Sequence, residues 1–360
     1  MPLATNMARQ KGFVGAVTGL IQAKSVHLPQ IAKGFNTDRS NQANERRLQA
    51  FLTDYPFDYE RIALLMTLFI PRGQVTLCLD RTEWNFGKCQ VNILMMTARC
   101  GEVAVPLFWE LLDNKSGNSA VINRVDVLEK AIDLLGLARI GLLVADREFV
   151  GAKWVKVLID RQVPFCLRLP RTHPVRLRNG ESWRVEDLLA GHGQRFYQQV
   201  LVDGQWVNVY LKQLDKHEIL YLIGTPGPRE LGSLYRRRWS IETAPADRLF
   251  QSLKKRGFDV EASHLQSLEK LKKLIGLVAM AFGFCLVSGH HYQRKVRSIP
   301  LKGHGYKSLS YFRKGKDELQ DWLAGKPVAR YAVWEAALDR AYHWLKCQLT
   351  YYHNSIKIFR

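Results

Sequence analysis

The sequence lacks several features that would indicate common activities. Its six cysteines are scattered, with no C-x-x-C pair and no plausible disulfide framework. We interpret them as reduced thiols of a cytosolic protein. The ten histidines show no metal-binding spacing. Neither a phosphate-binding P-loop nor a G-x-G-x-x-G motif is present, so the sequence does not support an ATP-driven mechanism.

Signals for membrane insertion or export are also weak. The N-terminus has no basic leader followed by an apolar run, so we predict no signal peptide. The longest apolar stretch, residues 274–288, is short for a membrane span and contains glycine. We expect a buried helix there.

Acidic residues are the minority charge. The chain has 33 Asp and Glu against 53 Lys and Arg, a formal net charge of +20. This excess favours a polyanionic partner, above all a nucleic acid whose phosphates the cations neutralise. On charge alone, an anionic membrane is the alternative. With 360 residues, 47% of them hydrophobic, the chain is long enough to bury a sizeable core and to form two or more folded units.

Changes in hydrophobic pattern divide the chain into five predicted segments. Strand patterns are confined to the middle, where turn dipeptides such as Asn179-Gly180 separate short strands. We expect an α/β fold: a mixed sheet with flanking helices and helical N- and C-terminal regions. In chain order the segments are 1–70, helical and basic; 71–160, first part of the core; 161–228, a mostly β insertion; 229–290, second part of the core; and 291–360, basic and helical.

Three carboxylates stand out from this pattern. Two apolar runs, 75–80 and 141–146, end in Asp80 and Asp146, and a Tyr/Arg-rich helical segment downstream carries Glu242. Mg²⁺ prefers oxygen ligands and is usually held by one or two carboxylates together with substrate phosphates. In a strongly basic chain, this combination predicts metal-dependent chemistry on a polyanion.

The order of the predicted elements around these residues resembles an RNase H-like sheet. A strand at 75–80 is followed by strands at 89–97 and 103–109, a helix at 118–135 and the strand that ends at Asp146. Three sequence blocks then identify a family. They are Leu79-Asp80-Arg81-Thr82-x-Trp84, Ala145-Asp146-Arg147-Glu148-Phe149 and Tyr235-x-x-Arg238-Trp239-x-Ile241-Glu242.

In order and spacing, the blocks resemble the DDE transposases of bacterial insertion sequences, in the branch with a Tyr-x₂-Arg-x₃-Glu-x₆-Lys signature. The resemblance covers roughly residues 70–290 and implies cut-and-paste transposition. Such an enzyme cleaves double-stranded DNA at the terminal inverted repeats of its element and joins the freed ends to target DNA. It works as a homodimer on paired ends, in the bacterial cytoplasm at the nucleoid, without a membrane partner.

The resemblance also implies roles for individual residues. Asp80, Asp146 and Glu242 would be the catalytic ligands of two Mg²⁺ ions, for which Mn²⁺ substitutes. Tyr235, Arg238 and Lys254 would contact DNA phosphates. Residues 1–70 would form a DNA-end-binding region, with Arg46 and Arg47 as candidate contacts.

At the lysine, the sequence departs from the family signature. The expected position, 249, is leucine, and Lys254 lies twelve residues after Glu242. A five-residue insertion at 244–248 accounts for the difference, and in a continuous helix it would rotate Lys254 by about 140° away from the face of Glu242. Because this stretch contains Pro245, we predict that the helix ends or kinks at Thr243–Ala244.

Several alternatives remain open from the sequence. The protein is either a full transposase, a nuclease of the same fold without strand transfer, or a DNA-binding derivative disabled by the insertion at 244–248. Arg238 and Glu242 would also fit a plain exposed helical ion pair. Glu148 is a fourth carboxylate of the site, a partner of a site residue or a solvated side chain.

Overall fold

A ten-stranded mixed sheet organises the computed structural model. The structure describes residues 6–324, except 24, 36–37, 71, 87–88, 101–102, 113–118, 217, 244–248, 250–256, 266, 304 and 306. The strands are β1 (Val75–Phe86), β2 (Cys89–Cys100), β3 (Val103–Leu112), β4 (Ile140–Ala145), β5 (Phe165–Arg168), β6 (Pro174–Arg176), β7 (Ser182–Arg184), β8 (Gln194–Val202), β9 (Gln205–Gln213) and β10 (Ile219–Gly224). Their order across the sheet is β3-β2-β1-β4-β5-β10-β9-β8-β6-β7.

The first half of the sheet has the expected RNase H-like arrangement. Strands β1, β2 and β3 form an antiparallel meander, and β4 and then β5 add to β1 in parallel. The predicted mixed sheet with flanking helices is therefore confirmed. Residues 161–228 supply β5 and also β6 to β10, so their strands continue the same sheet instead of forming a separate one.

The first strand is longer than predicted. It does not end at Asp80 but continues to Phe86, and it pairs with β2 from Thr76 onwards. The polar residues after Asp80 suggested a loop, yet Trp84 in this stretch is fully buried and anchors the strand. Asp80 therefore lies within a strand, where pairing with β2 fixes its backbone.

Nine helices are described in this part of the chain: α1 (Met7–Ala23), α2 (Leu28–Ala32), α3 (Asn41–Asp54), α4 (Tyr59–Met66), α5 (Val121–Leu135), α6 (Ala152–Asp160), α7 (Pro228–Thr243), α8 (Leu268–His291) and α9 (Tyr311–Leu323). Several begin at side-chain caps that the sequence provides. Ser40, Asp58, Ser267 and Ser310 each accept a hydrogen bond from the amide three residues later.

The N-terminal helices share one hydrophobic core with the sheet. Helix α1 packs against α8 and α9, and α4 packs against β3. The buried ammonium of Lys273 on α8 donates hydrogen bonds to the carbonyls of Leu52 and Thr53, at distances of 3.0 and 3.3 Å. These carbonyls belong to the last turn of α3, where a cation also suits the helix dipole.

Helix α8 is buried in the hydrophobic core along most of its length. The helical stretch Leu268–Val296 is long and apolar enough to cross a membrane by composition, but 78% of its most apolar window is buried inside the protein. The predicted buried helix at 274–288 lies within it.

Candidate active site

Strand alternation places Asp80 and Asp146 on the same face of the sheet. Side chains along a strand point to opposite faces in turn. Cys78, Leu142 and Val144 are buried in the small core beneath α7, so Asp80 and Asp146 continue the same two rows. The acidic pair therefore extends a buried apolar surface at the end of β4.

The register of two parallel strands sets the two aspartates side by side. The ladder between β1 and β4 includes the pair Leu79↔Ala145, and Asp80 and Asp146 are the next residues on each strand. Each carboxylate accepts a hydrogen bond from the following amide, at 2.9 Å from Arg81 and 2.7 Å from Arg147. These local bonds orient both carboxylates.

Helix α7 brings a cation to this pair. The side chain of Arg238 is buried, and its Nη2 lies 3.8 Å from Asp80 Oδ1 and 3.6 Å from Asp146 Oδ2. Arg238 is thus not part of a plain exposed ion pair on the helix surface, which was the alternative for this residue. Two carboxylates converge on one guanidinium, which offsets part of their mutual repulsion.

Tyr235 lies one turn before Arg238 and joins the same group. Its hydroxyl lies 3.4 Å from Asp146 Oδ1 and 3.3 Å from Nη1 of Arg238. Burial raises the pKa of Tyr235, and Arg238 offsets only part of this rise. The hydroxyl is therefore a protonated hydrogen-bond donor at neutral pH.

The donor set fits a hard divalent cation. Asp80 and Asp146 present carboxylate oxygens, about one-quarter to one-third exposed, to a common point already approached by a positive group. No group of three metal-binding side chains occurs within the described part of the chain. Glu242 belongs to α7, but its side chain lies outside the described residues.

The remaining predicted residues are placed as follows. Arg46 and Arg47 are on α3; Arg46 is exposed, and Arg47 donates to Asn44 Oδ1 over 3.4 Å. Lys254 and the insertion at 244–248 lie outside the described residues, as does the predicted break after Thr243.

Residues 112–284 match the family model of the transposase DDE domain. The match begins at the end of β3, ends within α8 and includes both Asp146 and the helix that carries Arg238. Over these residues, just under half of the chain, the protein is similar to the DDE transposases. Enzymes of this family cleave DNA and transfer strands.

The structure was also compared with solved structures. The chain is similar to the piggyBac transposase in its cryo-EM synaptic complex with hairpin DNA, with 13% sequence identity and a TM-score of 0.45. The similarity covers 94% of this chain and 76% of the other. No curated protein matches the chain.

Sequence reasoning missed the part that Arg81 has in the candidate site. Arg81 follows Asp80 and forms a salt bridge with Glu148, two residues after Asp146, with Nε and Nη2 both 2.9 Å from Oε2. Nη1 of Arg81 also donates to Asn92 Oδ1 over 3.1 Å. Asn92 is a buried polar residue in an apolar strand, which was the available signal.

Proposed function

We propose that this transposase acts by cut-and-paste on the terminal inverted repeats of a bacterial insertion sequence, with Asp80, Asp146 and Glu242 as the ligands of two Mg²⁺ ions. The convergence of Asp80 and Asp146 on Arg238 supports the assignment most directly. The helix that carries Arg238 also carries Glu242 one turn later, at a spacing that puts both on one helical face.

The chemistry divides between the metal and the protein. A bound pair of Mg²⁺ ions supplies activation of the attacking oxygen and stabilisation of the leaving oxygen. Asp80 within β1 and Asp146 just after β4 would hold these metal ions at one edge of the sheet. Arg238 and the hydroxyl of Tyr235 donate towards the same point, where a scissile phosphate would accept from them.

DNA is the partner that charge and position support. A net charge of +20 favours binding of a phosphate backbone. In this proposal Tyr235, Arg238 and Lys254 contact phosphates near the cleavage point, and Arg46 and Arg47 contact the transposon end from the N-terminal helices. We further propose a homodimer on two paired ends, in the bacterial cytoplasm at the nucleoid.

Cleavage of DNA that carries the element's own inverted repeats tests the assignment. The experiment uses labelled end DNA and Mg²⁺, with Asp80→Asn, Asp146→Asn and Glu242→Gln beside the wild type. We expect each variant to lose more than about 100-fold in cleavage rate, since loss of even an outer partner of a metal ligand costs about 10–100-fold. Asp160→Asn is the control, because Asp160 is an exposed partner of Lys156 on α6. This variant is expected to cleave DNA at the wild-type rate.

The same experiment separates the transposase from the alternative nuclease. Pre-cut end DNA and a target plasmid are supplied with Mg²⁺, and joined products are measured on a gel. Joined products are expected from the wild type. End cleavage without any joined product would instead indicate a nuclease of the same fold.

A further inference from the structure

The backbone pairing that aligns the acidic pair extends only as far as Leu79↔Ala145. Beyond that pair β1 continues along β2, whereas the chain after Ala145 leaves the sheet and forms a short 3-10 helix, Arg147–Phe149. Asp146 thus sits where two segments diverge. A metal site needs its ligands held within a few tenths of an ångström, so another link between the segments is required.

The salt bridge between Arg81 and Glu148 provides such a link. It joins the residue that follows Asp80 to a residue two positions after Asp146, through two N–H groups at 2.9 Å from one carboxylate oxygen. Each of the two side chains is only 21% exposed, so water screens this pair less than a surface pair. The bond therefore ties the two aspartate-bearing segments together just past the end of their ladder.

Arg81 and Glu148 each make a further hydrogen bond to another element. Arg81 donates to the buried Asn92 on β2 over 3.1 Å. The backbone carbonyl of Glu148 accepts from Nη2 of Arg124 on α5 over 3.1 Å, and Arg124 is also buried and bonded to Ser119. The chain of contacts therefore runs from β2 to α5 through residues that closely follow the two aspartates in the sequence.

The contacts of Glu148 indicate positioning, not metal binding. Its Oε2 is engaged by Arg81, and its Oε1 is buried with no hydrogen-bond partner in the described part of the chain. Because Arg81 is the next residue after Asp80 in a regular strand, the two side chains point to opposite faces of the sheet. The salt bridge therefore lies behind the acidic pair as seen from α7.

We propose that Glu148 is a positioning residue of the transposase, which acts through Arg81 to fix the separation of the Asp80 and Asp146 carboxylates for metal binding. The inference rests on the proposed role of these aspartates as metal ligands. Of the three alternatives that the sequence left open for Glu148, it selects the partner of a site residue.

The test measures Mn²⁺ affinity directly, by electron paramagnetic resonance titration of the full-length protein without DNA. The variants are Glu148→Gln, which removes the charge at almost constant shape, and Asp146→Asn, which removes a ligand. We expect Glu148→Gln to raise the Mn²⁺ dissociation constant about 10-fold, as loss of such supporting partners typically does. Glu129→Gln is the matched control, since Glu129 on α5 forms a 2.6 Å salt bridge with Arg161, the residue after α6. The Mn²⁺ affinity of this variant is expected to be unchanged.

A purely structural role would give a different result. It would lower the melting temperature of Glu148→Gln while leaving the Mn²⁺ affinity of the folded protein at the wild-type value, and this outcome would overturn the inference. A loss as complete as that of Asp146→Asn would also overturn it, because Glu148 would then be a ligand. If Asp146→Asn binds Mn²⁺ as well as the wild type, the proposed metal site itself is wrong.

A second variant tests the link from its other end. Arg81→Lys keeps the charge but replaces a planar two-donor contact by a single ammonium. We expect a smaller rise of the Mn²⁺ dissociation constant, about 3-fold, together with a matching rise in the Mn²⁺ concentration for half-maximal cleavage and little change in the maximal rate. An unchanged metal dependence in folded Arg81→Lys would contradict the inference even where Glu148→Gln does not fold.

Discussion

The guanidinium of Arg238 lies 3.6 Å from the carboxylate of Asp146. Arg238 belongs to α7, which follows all ten strands in the sequence. Arg238 also approaches Asp80, at 3.8 Å. In this arrangement one buried arginine balances part of the charge of the two proposed metal ligands. Its removal should therefore affect the metal-free protein and the metal-bound protein differently.

Replacement of Arg238 by glutamine should destabilise the protein without metal. We expect the free energy of unfolding to fall by about 1–3 kcal/mol, less than for a fully buried ion pair because both aspartates are partly exposed. Added Mn²⁺ should restore more stability to this variant than to the wild type, since the metal then relieves the repulsion. Urea unfolding with and without Mn²⁺ measures both effects, with the exposed neighbour Arg236→Gln as the control. Equal stabilisation of both proteins by Mn²⁺ would contradict this account.

The buried hydroxyl of Tyr235 should contribute to stability in a pH-dependent way. Burial raises the pKa of Tyr235 in the folded protein, whereas in the unfolded chain it ionises near pH 10. The contribution is thus fully present below about pH 10 and is lost as the pH rises towards the folded-state pKa. Tyr235→Phe cannot ionise, so it should lose less free energy of unfolding between pH 8 and pH 11 than the wild type. Urea titrations at the two pH values test this, and an equal loss in both proteins would count against it.

The crossing of α8 and α9 depends on a glycine. A Cβ at Gly315 would lie within van der Waals overlap of the backbone carbonyl of Cys285 and the amide of Gly289, so the helices cannot meet as they do with a larger residue. Gly315→Ala should lower the free energy of unfolding by about 1–3 kcal/mol. Gly303→Ala is the control, since its Cβ would meet nothing within 4 Å. Thermal unfolding of the two variants gives the comparison; similar melting temperatures would show that the helices can shift apart at little cost.

Deletion of residues 244–248 tests the remaining alternative. It would restore the family spacing between Glu242 and Lys254 and bring both to one helical face. If the protein is an active transposase, the natural chain cleaves end DNA, and the deletion should change the rate without being required for it. Cleavage only by the shortened chain would instead identify a DNA-binding derivative disabled by the insertion.

The sequence predicts much of the site because its parts obey local periodicities. Uninterrupted apolar runs before Asp80 and Asp146 predict adjacent strands, and the spacing of Tyr235 and Arg238 predicts a shared helical face that the structure turns towards those aspartates. The end of β1 is not predictable in the same way, because the polar residues after Asp80 are held in the strand by pairing with β2.

The contact between Arg81 and Glu148 is also beyond sequence reasoning. The two residues are 67 positions apart, and nothing local indicates which charged neighbour each will meet. Only the parallel register of β1 and β4 brings their segments together. A charged pair of this kind depends on the tertiary fold in a way that apolar alternation does not.

The hydrogen bonds from Lys273 to the last turn of α3 attach the N-terminal helices to α8, which limits how this chain can be truncated or recombined. The helices before β1 cover apolar surface of α8, so a fragment that starts at the first strand would expose that surface and tend to aggregate. Exchange of these helices between transposases would for the same reason require matching changes along α8.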